Sequence, residues 1–153
     1  MNVARFIYLA LLTLWVGGLW LVGFYIAPTV FVILKDNHVL AGEITGHFFA
    51  AIGWIGVVAA IYMLAFKFVL YRRQAWKMPA FWIVVVMLVI VLDALFHLQP
   101  LMAQLKAQAL PLPVMQSAYA VRFDFWHHVT EVTYTITSLL GAALIWIEYR
   151  AEH

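Results

Sequence analysis

Four apolar runs, each at or above the roughly 20 residues a helix needs to cross hydrocarbon, leave this chain few folds to choose from. They cover about residues 3–34, 40–71, 80–108 and 117–149, with short polar or proline-rich links between them. In lipid every backbone N–H and C=O must be bonded within its own segment, so such runs become helices. Short links make consecutive spans antiparallel neighbours. The expected fold is all-α, an integral membrane antiparallel four-helix bundle forming one domain. Composition agrees: 67% of residues are hydrophobic and 10% charged, against about 45–50% and 25% in soluble domains. The formal charge of +2 has no basic groove behind it, so nucleic acid has no support as a partner. There is no cysteine, which excludes disulfides, thiolate metal sites and cysteine nucleophiles. The first run exceeds the h-region of a signal peptide, about 7–15 residues, and reads as a retained span.

Small and breaking residues punctuate the runs. Pro28 predicts a kink or a separate turn near the end of the first. Gly17, Gly18 and Gly23 permit close approach there. In the second run Gly42, Gly46, Ala50 and Gly53 form a stripe of small residues expected to pack closely, within the bundle or between protomers. On that reading Gly46→Leu destabilises the fold or an oligomer. Orientation follows from the flanking basic residues. Arg5, Lys67, Arg72, Arg73, Lys77 and Arg150 lie on the side of the termini, and Lys35, Lys106 and Arg122 lie opposite. Six against three places both termini in the cytoplasm.

The polar residues inside the runs carry what chemistry there is. The fourth run holds Asp124, His127, His128 and Glu131, the second Glu43 and His47, and the third Asp93 and His97. Glu43/His47, Asp93/His97 and Asp124/His128 share the spacing acid-x-x-x-His, one helical turn, and His127/Glu131 reverses it. A carboxylate one turn from an imidazole can orient it, or both can ligate one metal. All these groups fall in the outer half or near the midplane, and the inner half reads as almost uniformly apolar. Asp93 and His97 are expected to face the fourth span, because a charge turned to lipid is costly. One reading is a metal centre. His47, His97 and His127 would act as imidazole ligands, Glu43 or Glu131 as carboxylate ligand and Asp93 as orienter. Such a set suits a divalent transition metal: zinc, copper, manganese or iron. A second reading is a non-catalytic scaffold or accessory subunit whose polar groups only hold the bundle together. Haem between histidines is the third, and it is the enzyme option. No catalytic residue stands out. Implied partners are the bilayer and either a second copy or another membrane protein. Thr130, Thr133 and Thr137 form a stripe expected to bond back to their own helix or to a neighbour.

The segments GGLWLVGFYIAPTVFVIL, AGEITGHFF, HLQPLMAQLKAQ and FWHHVTEVTYTITSLLGAALIW, taken in order, resemble the bacterial membrane family catalogued as domain of unknown function 4149. That family is related to eukaryotic transmembrane protein 205. The resemblance runs over nearly the whole chain. It implies a four-helix domain of the bacterial inner membrane, with Ala27-Pro28-Thr29, Pro100 and Trp126-His127 at motif positions. The eukaryotic relative is associated with drug resistance and secretory traffic, without an established chemistry.

Overall fold

The computed structural model describes residues 3–152, and among these it contains helices and turns with no strand. The first span is α1 (Val3–Trp20), a π-helical turn (Leu21–Ile26) and α2 (Ala27–Ile33). The second is α3 (His38–Tyr71), closed by a 3-10 turn (Arg72–Lys77). The third is α4 (Pro79–Asp93), a second π-helical turn (Ala94–Leu98) and α5 (Gln99–Ala109), and the fourth is α6 (Ala120–Glu152). All four spans are long and apolar enough to cross a membrane. The second packs between the first and third, and the fourth closes the ring by touching both. The centre is filled by Leu12, Trp15 and Val16, by Ala59 and Met63, by Val84 and Met87, and by Leu144. No span buries more than 39% of its apolar window, and the fourth buries only 22%. The remainder, Phe24, Val58, Val89 and Leu139 among it, is exposed, as a surface solvated by lipid must be.

Local chemistry sets the ends. Asn37 caps α3, its side-chain oxygen accepting from the Leu40 N–H at 3.1 Å. Pro79 opens α4 at a position where its missing N–H has no helical partner to lose.

Pro28 acts on the turn before it. Proline removes one N–H and clashes with the carbonyl four residues back. The chain absorbs this by widening Leu21–Ile26 to π spacing, and Pro100 follows the same device at Ala94–Leu98. In the first span a side chain takes part. The Tyr134 hydroxyl donates to the Leu19 carbonyl at 2.6 Å and lies close to the Gly23 N–H. A regular α-helix would join those two backbone groups to each other. A hydroxyl inserted between them bends the helix. Gly23 makes the room, since a Cβ there would run into the Tyr134 ring.

The small-residue stripe of α3 divides. A Cβ on Gly53 would meet Leu95 at 3.0 Å, and one on Gly56 would strike the Trp15 indole. A Cβ on Gly46 would meet nothing within 4 Å, and one on Gly42 only the Lys106 ammonium at 3.5 Å. The expectation that Gly46 mediates close packing within the bundle is therefore corrected. Close approach belongs to the half of the helix that faces the bulky side chains of Leu95 and the buried Trp15.

Candidate functional site

The half of the bundle nearest the termini, read from sequence as apolar, holds the most deeply buried ionic group among the described residues. Lys67 is 3% exposed, and its Nζ lies 2.6 Å from Glu148 Oε1. The Tyr8 hydroxyl donates to the same carboxylate oxygen at 2.8 Å. The Lys67 ammonium also stands 5.3 Å from the centroid of the Tyr8 ring, which packs at a tilt against Phe66 at 5.1 Å. One residue from each of the first, second and fourth spans meets here. A cation taken out of water needs a hydrogen-bonded counter-charge, and this clasp supplies one while pinning three helices. Sequence reading missed it because a lysine near a span end normally snorkels to the surface. The usable signal was that Lys67 lies a full turn inside its apolar run, whose C-terminal half contains no acid of its own.

The histidines and acids at the other end lie on the exterior of their helices. Glu43 and His47 are both exposed on α3, and Glu43 is within electrostatic reach of Lys106. His97 Nδ1 pairs with Asp93 Oδ1 at 2.8 Å, with 78% and 51% of the two side chains exposed. His127 Nε2 lies 3.4 Å from Glu131 Oε1, both half-exposed. The His128 Nδ1–H donates to the Asp124 carbonyl at 2.9 Å. Each of the three histidine contacts joins residues one turn apart in one span. Among the described residues no three His, Asp or Glu side chains come together as a metal-holding group.

The expected orientation of Asp93 and His97 toward the fourth span is corrected. The buried face of α4 runs through Val84, Met87 and Val91. Asp93 follows Val84 by nine residues, roughly 180° around a helix at about 100° per residue, so burying the valine turns the carboxylate out. The threonine stripe behaves as expected: Thr130, Thr133 and Thr137 donate to the carbonyls of Trp126, Val129 and Thr133 at 3.0, 2.6 and 2.8 Å. Each hydroxyl thus spends its proton on a carbonyl one turn back in its own helix.

A ring of four apolar helices with a lipid-type exterior and an internal ionic clasp defines a multi-pass membrane protein of the helical-bundle class. The chain belongs to the family described as Domain of unknown function (DUF4149), which matches residues 10–111. The match runs from within the first span to the end of the third, so Trp126, His127 and Glu148 lie beyond it. Comparison with curated proteins and with solved structures returned no match.

Proposed function

We propose that this protein is a non-catalytic membrane scaffold or accessory subunit that docks another membrane protein, or a second copy of itself, through the third span. The observation that carries this is the exposed Asp93–His97 pair. Tyr71, Trp76, Trp82, Trp146 and Tyr149 are exposed at the end of the termini, where aromatic residues anchor spans at the membrane interface. Asp93 is fourteen residues beyond Pro79, roughly 21 Å at ~1.5 Å per residue, inside a hydrocarbon core about 30 Å thick. Counted likewise, His47 is roughly 36 Å from Tyr71 and His127 roughly 33 Å from Tyr149, both outside it. Asp93 therefore stands on the outer face of the bundle at hydrocarbon depth. Lipid penalises an ionisable group there by roughly 2.5–3.5 kcal/mol, a cost that a polar partner helix would offset.

Replacing Asp93 and His97 together by leucine removes this feature while leaving the bundle interior untouched. The D93L/H97L variant is expected to fold as stably as the wild type and to run as a smaller complex after mild detergent extraction. An unchanged complex size, read by native mass spectrometry, would sink the docking proposal.

The metal-handling alternative rests on the half-sites His127/Glu131 and Asp93/His97, and the haem alternative on the same imidazoles. Under the scaffold reading, zinc, copper or manganese leaves the melting temperature of untagged wild-type protein unchanged, and the purified protein shows no Soret band. A metal-induced rise that His127→Ala abolishes and His38→Ala preserves would replace the scaffold reading with the metal one.

We place the protein in the bacterial inner membrane with both termini and the Arg72–Lys77 turn in the cytoplasm. With Lys67 paired inside the bundle, the basic count at that end becomes five against three, which still favours this orientation. Single cysteines at Asn37 and Gln74 are expected to label from opposite sides of the membrane. Cytoplasmic labelling at Asn37 would reverse the assignment.

A further inference from the structure

The 3-10 turn Arg72–Lys77 carries Arg72, Arg73 and Lys77, all exposed. No Asp or Glu occurs in the sequence between Glu43 and Asp93, and Glu148 at the same end is engaged by Lys67. Among the described residues none of the three cations makes an ion pair. The turn is also firmly held. Its own Ala75 is fully buried, and the Trp82 indole N–H donates to the Trp76 carbonyl at 2.9 Å. The Trp76 ring packs on Phe81 at 5.0 Å and edge-on to Phe68 at 6.5 Å. Leu70, Tyr71, Arg72, Arg73 and Gln74 line an open pocket of about 530 Å³. Arg72 itself sits at φ 48°, ψ −125°, a backbone conformation that glycine adopts without cost and an arginine does not.

We propose that this pocket binds the phosphate headgroup of an anionic phospholipid. Guanidinium groups present parallel N–H donors that match two phosphate oxygens, which makes arginine the better residue for gripping such a group. The chemistry alone would also accept free phosphate. The surrounding aromatics decide for lipid: Tyr71, Trp76 and Trp82 are exposed by about half, and such amphipathic rings settle at headgroup level. The turn is thereby held where lipid phosphates are concentrated, and basic pockets at span ends are suited to them. This site does not depend on the docking role proposed for Asp93 and His97, which lie at and just beyond the other end of α4.

The test uses the full chain in a neutral detergent, with melting temperature read on titration of phosphatidylglycerol, phosphatidylcholine or inorganic phosphate. Phosphatidylglycerol is expected to raise the melting temperature, and the other two are expected to leave it unchanged. R72Q/R73Q should weaken the apparent affinity for phosphatidylglycerol by about fivefold per arginine removed. R122Q, at the opposite end, should leave it unaltered. R72G guards against simple misfolding: it relieves the unfavourable φ, so it should melt no lower than the wild type without lipid and still lose part of the response. An equal rise with phosphatidylcholine, or an undiminished response in R72Q/R73Q, would overturn the proposal. A rise reproduced by inorganic phosphate would do so too, by showing a free-anion site.

Discussion

Lys67→Met is expected to destabilise the bundle by about 3–5 kcal/mol, the usual cost of removing one partner from a buried ion pair. The loss comes less from the missing attraction than from the Glu148 carboxylate left behind without its cation. Glu148 keeps 17% of its side-chain surface exposed, so it can relax toward water, and the lower end of that range is expected. Tyr8→Phe removes only one hydrogen bond to the same oxygen and should cost about 1 kcal/mol. The double variant K67M/E148M is the decisive arm. Methionines at both positions leave no charge buried, and apolar replacement of a whole pair is often neutral or stabilising. Reversible unfolding in detergent should therefore place the double variant close to the wild type and well above K67M. A double variant as unstable as the separate costs of K67M and E148M added together would show that Lys67 and Glu148 do not act as a unit.

Gly56→Leu should be the most damaging glycine substitution in α3, and Gly46→Leu nearly silent. Trp15 is completely buried, and its indole occupies the space a side chain at position 56 would need. Overpacking of this kind typically costs about 1–3 kcal/mol. The upper end or beyond is expected, because a ring with no exposed surface, in the buried centre of the bundle, has little room to shift. At position 46 nothing lies within 4 Å. A leucine there would also gain helix propensity over glycine, somewhat less than the roughly 0.8–1.0 kcal/mol that separates alanine from glycine. Thermal melts of the two variants side by side test the assignment, and equal destabilisation would mean the close approach had been placed on the wrong half of the helix.

The number of spans and their order were legible in the chain itself, because hydrocarbon responds to the length and apolarity of a segment and to little else. Local pairings were legible for a related reason. A helix puts residues four apart beside one another whatever surrounds it, so Asp93/His97 and His127/Glu131 appear as contacts and the threonines bond back one turn. Periodicity could not say which face of each helix turns inward. That choice was made by Val84, Met87, Trp15 and Met63 filling the centre, and it carried the His/carboxylate stripes to the outside. Nor could spacing bring Tyr8 to Glu148, which are 140 residues apart, or reveal that Lys67 lies between them. Local geometry is set by covalent chemistry and the helix. Convergence of three spans on one ammonium is set by how four apolar surfaces pack together, and only the tertiary structure decides it.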